Sequence, residues 1–172
     1  MRTRQKDRDV PGPGEPWNEI RPGLWMGGHF WTDRAGEYQA AVAGSEFGLV
    51  VSLFTAPGHG PDPHVEHLVV PVPDAPLSAG QIGSVQQAAH RVTRALREEG
   101  RTVLVRCHSG YNRSGLVVAQ VLVDLDGHDP AEAIALVRRR RSPWALHNET
   151  FTAYLATGLD VARLLSGLDQ PV

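Results

Sequence analysis

The chain has 172 residues, of which 41% are hydrophobic and 21% are charged. These values are ordinary for one compact globular domain, and they exclude a largely disordered chain or a fibrous repeat. A formal net charge of -2 excludes an overall electrostatic attraction to DNA, RNA or an anionic membrane, so any preference for anions must be local. We therefore expect a single domain over residues 17–168, with the charged, proline-containing segment 1–16 as a flexible tail.

The single cysteine, Cys107, cannot form a disulfide within the chain. Segment 1–16 has no apolar stretch typical of a signal peptide, and the longest strongly apolar run, residues 116–123, is too short to span a bilayer. We expect a cytoplasmic protein that is not bound to a membrane. A lone thiol in such a chain is either a nucleophile or an inert, buried side chain.

The first half of the chain contains short strand signals and one predicted helix. Residues 24–26 are typical of a strand, and the β-branched run 49–53 is typical of a buried central strand. Between them we predict a helix that is capped by Thr32 or Asp33 and stopped by Gly44. The apolar face of this helix comprises Tyr38, Ala41 and Val42.

The second half alternates strands with helices. The predicted elements are a strand at 65–70, a proline-rich loop at 71–76, a helix from Ser78 to Gly100, a strand at 103–105, a helix at 114–125, a helix from Asp129 to about Arg140 and a final helix capped by Asn148. The buried face of the final helix comprises Phe151, Tyr154, Leu155, Leu159 and Ala162. This order predicts an α/β fold with a central, mostly parallel sheet of four to five strands flanked by helices.

The loop between the strand at 103–105 and the following helix carries the chemistry. It places Cys107 at the end of a strand and Arg113 at the start of a helix. Inward-facing backbone N–H groups and the positive end of the helix would bind an anion and stabilise a thiolate. The predicted phosphate-binding loop comprises His108, Ser109, Gly110, Tyr111, Asn112 and Arg113.

Three side chains have predicted roles in this loop. The planar guanidinium of Arg113 matches two phosphate oxygens. Gly110 suits a positive φ or a close approach to the ligand, although an ordinary loop glycine is the alternative. Ser114 can donate a hydrogen bond to the sulfur of Cys107, although it can also be a routine helix cap.

These residues resemble the signature of the cysteine-based protein tyrosine phosphatase superfamily, specifically its compact dual-specificity branch. That signature reads His-Cys-x-x-Gly-x-x-Arg-Ser, and Cys107, Gly110, Arg113 and Ser114 match it. Residues 20–27 resemble the opening strand of the branch. Asn148 and Phe151 resemble its closing Pro-Asn-x-x-Phe helix.

The resemblance also implies an aspartate general acid on a loop upstream of the cysteine. Asp74 occupies the matching place, and its alternative is a turn former between prolines. Asp62 is the second choice, although it precedes the strand at 65–70 instead of following it. One position departs from the family: Arg106 stands where the family has histidine. Its charge could favour the thiolate, or the side chain could point away from the loop.

Two other clusters have ordinary explanations. His59, His64 and His67 near Asp62 could ligate zinc, but their spacing matches no closed site, so we predict no metal and no cofactor. The basic run 138–141 is typical of a solvated helix end, and the alternative is a second anion contact that would favour acidic phosphopeptides, phosphoinositides or RNA ends.

The resulting hypothesis is a metal-free phosphatase with a phosphocysteine intermediate. Phosphotyrosine in a protein or peptide is the first expected substrate, followed by phosphoserine and phosphothreonine. The alternatives are a catalytically weak phosphate-binding module, suggested by Arg106, and an RNA or phosphoinositide phosphatase of the same superfamily. Sulfur transfer would not explain Asp74. The sequence does not determine the oligomeric state.

Overall fold

The structure is a computed structural model that describes residues 10–169. Its strands are β1 (Trp17–Arg21), β2 (Leu24–Gly27), β3 (Phe30–Thr32), β4 (Tyr38–Ala40), β5 (Leu49–Ser52), β6 (Glu66–Val69) and β7 (Val103–Arg106). Its helices are α1 (Ala79–Arg97), α2 (Arg113–Asp126), α3 (Pro130–Arg140), α4 (Glu149–Thr157) and α5 (Leu159–Leu168). Within residues 10–169, no helix combines the length and the apolarity that crossing a bilayer requires.

A five-stranded sheet forms the centre of the fold, in the order β1, β2, β7, β5, β6. β1 is antiparallel to β2, whereas the other three pairs are parallel. Every residue of β5 and β7 is buried, as expected for central strands that are covered on both faces. The predicted α/β fold with a mostly parallel sheet is confirmed.

Alternate residues of the central strands face two apolar layers. Val51 and Val105 belong to the main core, together with the buried sides of α1 and α2. Val50 and Leu104 belong to a smaller cluster on the opposite face, which includes Phe47. This two-sided burial explains why β5 and β7 are continuous apolar runs and do not alternate with polar residues.

Local capping signals define the helices that were predicted correctly. Ser78 and Gln81 form a reciprocal capping box at the start of α1, and Asp129 and Glu132 form another at the start of α3. Gly127 ends α2 with a φ of 71°. The predicted helices from Ser78, at 114–125 and from Asp129 are confirmed.

The helix predicted between Thr32 or Asp33 and Gly44 is wrong, because this segment is the β3–β4 hairpin. The Asp33 side chain accepts hydrogen bonds from the N–H groups of Ala35 and Glu37, so it closes a turn and caps no helix. Phe30 stacks on Tyr38 across the two strands at 4.9 Å between ring centroids. Of the predicted apolar face, Tyr38 and Val42 are exposed.

Two other predictions need correction at glycines. The strand predicted at residues 24–26 is confirmed as β2, whereas the longer segment 20–27 is not one strand, because Gly23 turns the chain between the end of β1 and β2 with a φ of 83°. The final helix divides at Gly158, whose φ is 96°, into α4 and α5. An apolar helical pattern is the same on both sides of such a break, so it does not reveal the break.

Part of the predicted tail, residues 1–9, lies outside the described residues. Residues 10–16 are described, and several of their backbone carbonyls accept hydrogen bonds from the domain. The donors are the Thr32 N–H to Pro13, the Gly28 N–H to Pro16 and the Tyr111 hydroxyl to Pro11. This segment therefore contacts both the β3–β4 hairpin and the loop that follows β7.

Replacing Leu122 with alanine is expected to lower the free energy of unfolding by about 2–5 kcal/mol, because this α2 side chain is fully buried. Urea denaturation would show a lower midpoint at an unchanged slope. The matched control is Leu168→Ala, which removes the same atoms from a side chain that is 79% exposed. The control should change stability by less than about 0.5 kcal/mol, and equal losses in both variants would contradict this packing.

Candidate active site

The candidate site lies at the carboxyl end of β7, in the middle of the sheet. The neighbouring strands β2 and β5 run parallel to β7, so the segments that follow all three strands meet at one edge. The Cys107 N–H donates to the Gly27 carbonyl at 3.2 Å, and the His29 N–H donates to the His108 carbonyl at 2.8 Å. Backbone hydrogen bonds therefore attach the loop to the residues after β2.

The structure brings Cys107 and Ser114 together, as the sequence predicted. The Sγ of Cys107 lies 3.3 Å from the Oγ of Ser114, and both residues are buried. The sulfur thus sits at the N-terminal end of α2, next to a hydroxyl that can donate a hydrogen bond to a thiolate.

Gly110 has the positive φ that the sequence suggested, at 74°. A Cβ at this position would lie 2.5 Å from the carbonyl carbon of Gly27 and 2.6 Å from Nη2 of Arg141. The close neighbours are therefore the end of β2 and a buried guanidinium. Glycine is required here by the fold itself.

Arg113 is the first residue of α2, and its side chain is directed toward the loop after β6. Its Nη1 donates to the Val72 carbonyl at 3.3 Å, and its guanidinium carbon lies 5.5 Å from the centroid of the Phe54 ring. In the part of the chain that the structure describes, its Nε is a buried nitrogen with no hydrogen-bond partner. An unpartnered buried donor is costly, and an anion bound in the loop would supply the missing acceptor.

Asp74 lies against the same loop, and both of its carboxylate oxygens accept hydrogen bonds. The Nδ2 of Asn112 donates to Oδ2 at 3.0 Å, and the Nδ2 of Asn148 donates to Oδ1 at 2.7 Å. The second choice, Asp62, accepts instead from the hydroxyl of Ser45 on the exposed side of the molecule. The geometry therefore associates Asp74 with the cysteine loop and Asp62 with Ser45, in the segment before β5.

Arg106 points away from the cysteine loop and into the segment after β5. Its guanidinium donates to the Ser52 hydroxyl at 2.9 Å, to the His59 carbonyl at 2.8 Å and to the Gly60 carbonyl at 2.5 Å. Burial lowers the pKa of Arg106 to about 10, so it stays charged at neutral pH. Of the two alternatives for this departure from the family pattern, the structure supports the second.

The histidines that were considered for a metal site are dispersed. His59 packs against Phe30, His64 lies 3.1 Å from the Ser45 hydroxyl, and His67 lies 2.7 Å from the Ser52 hydroxyl. The three rings therefore contact different side chains and do not form one cluster.

The expectation that residues 138–141 form a solvated helix end is wrong for Arg141, which is only 9% exposed. Its Nε donates to the Gly110 carbonyl at 3.1 Å, and its Nη2 donates to the Ser109 carbonyl at 3.0 Å. Its Nη1 donates to the Glu15 carbonyl and to the side chain of Asn18. Arg141 therefore holds the outer side of the cysteine loop, a role that no local pattern indicated.

Aromatic and imidazole rings pack beside the loop. His108 lies 5.2 Å from Phe30 and 5.1 Å from Phe54, measured between ring centroids. Behind them, the Nε2 of His29 donates to the Phe54 carbonyl at 2.7 Å, and the ring is fully buried. Burial, aided by the charge of Arg106, lowers the pKa of His29 to about 4.

We expect Arg106→Met to lower the free energy of unfolding by about 1–3 kcal/mol for each backbone carbonyl that loses its donor. Methionine keeps much of the side-chain volume, so the loss reports on hydrogen bonds. The control is Arg139→Met on the exposed side of α3, which should change stability by less than about 0.5 kcal/mol. Equal stability of the two variants in urea denaturation would contradict the assigned role.

The pKa of His29 also predicts how stability depends on pH. Its pKa of about 4 in the folded protein is below the ordinary 6.5, so between these values the unfolded chain binds a proton that the folded protein does not. Stability should therefore fall by about 3 kcal/mol as the pH drops from 6.5 to 4. Urea denaturation at several pH values should show that His29→Gln loses this dependence, whereas His90→Gln, on the exposed face of α1, keeps it. An unchanged slope in His29→Gln would refute this assignment.

Comparison with known proteins identifies the family. The model of the dual specificity phosphatase catalytic domain matches residues 35–157. No curated protein matches the chain.

Several solved structures share the fold. Human DUSP28 is 24% identical, with a TM-score of 0.69 over 88% of this chain and 98% of that chain. A mouse putative dual specificity phosphatase, solved in complex with zinc tungstate, is 25% identical, with a TM-score of 0.66 over 95% of this chain and 97% of that chain. The human tyrosine phosphatase-like serine/threonine/tyrosine-interacting protein is 20% identical, with a TM-score of 0.60 over 81% of this chain and 92% of that chain.

The family match spans most of the chain and includes the cysteine loop, and the sheet and helices agree with the fold of these neighbours. The chain therefore belongs to the compact dual specificity phosphatases of the cysteine-based protein tyrosine phosphatase superfamily.

Proposed function

We propose that this domain hydrolyses phosphate monoesters through a phosphocysteine intermediate, without a metal ion or other cofactor. The observation that carries the proposal is the arrangement around Cys107. A buried thiol at the start of α2, the unpartnered Nε of Arg113 and the carboxylate of Asp74 all adjoin one loop. Nucleophile, anion-binding group and acid are the three parts that phosphate transfer to cysteine requires.

In the first step, the Cys107 thiolate attacks phosphorus, so an S–P bond forms while the P–O bond to the leaving group breaks. Asp74 gives its proton to the departing oxygen, and the substrate leaves as an alcohol or phenol. Arg113 and the backbone N–H groups of residues 108–112 hold the phosphoryl oxygens throughout the transfer.

In the second step, water attacks phosphorus and Asp74 accepts its proton. The S–P bond breaks, the electron pair returns to Cys107, and inorganic phosphate leaves. The hydroxyl of Ser114, 3.3 Å from the sulfur, donates a hydrogen bond that stabilises the departing thiolate. The enzyme thereby returns to its starting state.

We propose phosphotyrosine in a protein or peptide as the first substrate, followed by phosphoserine and phosphothreonine. The rings of Phe30, Phe54 and His108 beside the loop support this order, since they offer an apolar surface to an aryl group. A cytoplasmic location fits the mechanism because a reducing compartment keeps Cys107 as a thiol.

The test is hydrolysis of phenyl phosphate across a range of pH in the presence of a chelator. Cys107→Ser should abolish turnover, because a hydroxyl in this position is a far weaker nucleophile than a thiolate. Asp74→Asn should lower kcat on the order of 10²–10⁴-fold and remove the fall in activity at high pH that reports a protonated acid. Asp62→Asn is the matched control, and it should retain native activity because the Asp62 carboxylate accepts from Ser45, in the segment before β5, and not from the residues that contact Asp74.

Either of two results would refute the enzymatic proposal. One is turnover that persists in Cys107→Ser. The other is a native protein that binds inorganic phosphate but hydrolyses neither aryl phosphates nor phosphopeptides, which would identify a phosphate-binding module.

A further inference from the structure

Asn112 is part of the cysteine loop, yet its side chain is directed toward Asp74. The residue is 3% exposed, and its carboxamide uses both of its ends. Nδ2 donates to Oδ2 of Asp74 at 3.0 Å and lies 3.2 Å from Nε2 of His147. Oδ1 accepts from the backbone N–H of Asn148 at 2.9 Å. This carboxamide therefore joins the loop of the nucleophile to the loop of the acid and to the start of α4.

Helix capping does not account for the Asn112 side chain. Asn112 occupies the N-cap position of α2, where an asparagine side chain ordinarily accepts a hydrogen bond from a backbone N–H of the first turn. Here the side chain makes no capping hydrogen bond, and the backbone is already helical, with φ of -96° and ψ of -62°. The carboxamide is thus committed to contacts outside its own helix.

The orientation of this carboxamide is fixed by its neighbours. Nδ1 of His147 lies 2.9 Å from the Trp144 carbonyl, and a carbonyl can only accept, so that ring nitrogen carries the proton. Nε2 of the same ring lies 3.2 Å from Nδ2 of Asn112. The backbone N–H of Asn148 can only donate, so it must face Oδ1 of Asn112, and flipping the carboxamide would place the NH₂ group against this donor.

Asn148 donates to the other oxygen of Asp74. Its Nδ2 contacts Oδ1 at 2.7 Å, while its own Oδ1 accepts from the N–H groups of Thr150 and Phe151 and so caps α4. Each carboxylate oxygen has two acceptor sites, so one hydrogen bond to each oxygen still leaves a site for a proton.

We propose that Asn112 and Asn148 are positioning residues for the general acid. The segment 71–76 contains three prolines and no helix or strand, so it does not orient Asp74 through regular structure. The two carboxamides fix the Asp74 carboxyl group beside the position that the substrate ester will occupy, before the substrate binds. This inference rests on the proposed function, and it adds residues that act through Asp74 without touching the reacting atoms.

The consequence is a dependence on the leaving group. Phenolate is a poor leaving group that needs a proton, whereas dinitrophenolate departs readily without one. Asn112→Ser removes the donor to Asp74, since a serine hydroxyl is too short to reach it. We expect kcat for phenyl phosphate to fall roughly tenfold to a hundredfold, since small misplacements of a catalytic group have effects of this size. For dinitrophenyl phosphate we expect a change of less than about threefold, because Asp74 contributes little to that reaction.

A double-mutant cycle separates positioning from damage to the loop. In an Asp74→Asn background, Asn112→Ser should cause no further loss with phenyl phosphate, because the group that it positions is already inactive. The affinity for inorganic vanadate, a phosphate mimic, should stay within about threefold of the native value, since Cys107 and Arg113 are intact. Gln86→Ala is the control, since it removes an exposed carboxamide of α1 that donates to Asp160 of α5 and has no contact with Asp74, and it should leave the turnover of both substrates unchanged.

Asn148→Ser tests the second donor and serves if Asn112→Ser does not fold. Serine keeps an oxygen to cap α4 but cannot donate to Asp74, so the same selective loss is expected. Equal losses with both substrates, or an additive loss in the Asp74→Asn background, would overturn the positioning role while leaving the proposed function intact. A native protein without cysteine-dependent turnover would instead refute the proposed function, and the positioning role with it.

Discussion

The carbonyl groups of the cysteine loop need hydrogen-bond donors, and Arg141 supplies them for two of these groups. Its guanidinium donates to the carbonyls of Ser109 and Gly110 and also to the Glu15 carbonyl and the side chain of Asn18. Four hydrogen bonds offset the cost of burying the charge. The same group connects the end of α3 to the segment before β1, so the shape of the loop depends on both elements.

Three arginines lie around the site, and they differ in their hydrogen-bond partners. Arg106 and Arg141 are buried and donate to backbone carbonyls, so their charges serve the architecture. Arg113 has one weak contact with the Val72 carbonyl, and its Nε has no partner within residues 10–169. The guanidinium that we propose to hold the phosphate is thus the one with the fewest hydrogen bonds of the three. Arg106, which departs from the family pattern, stabilises the segment after β5 and leaves the cysteine loop to other residues.

The segment that carries Asp74, the proposed acid, depends on contacts of a different kind. Segment 71–76 is too rich in proline to form a regular element, so its conformation relies on side chains from elsewhere. Asn112 comes from the cysteine loop and Asn148 from the start of α4, and both donate to Asp74. One hydrogen-bonded network therefore holds the cysteine loop and Asp74, the proposed acid, and the backbone N–H of Asn148 sets the direction of the Asn112 carboxamide.

The amino-acid sequence by itself determined the elements that local chemistry specifies. These are the apolar central strands β5 and β7, the helices with capping boxes at Ser78 and Asp129, and the order of cysteine, glycine and arginine after β7, which the family match includes. Contacts that a helical pattern does not report decided the rest: strand pairing made the β3–β4 hairpin, and residues distant in the chain gave Arg141 and Asn112 their roles. Stacking of Phe30 on Tyr38 and the turn at Asp33 select a hairpin where helical spacing predicted a helix. Arg141 acquires its role from carbonyls 31 and 32 positions away, and Asn112 acquires its role from Asp74, 38 positions away. Sequence patterns report on neighbours within a few residues, whereas the partner of a buried guanidinium or carboxamide is chosen only when the chain has folded.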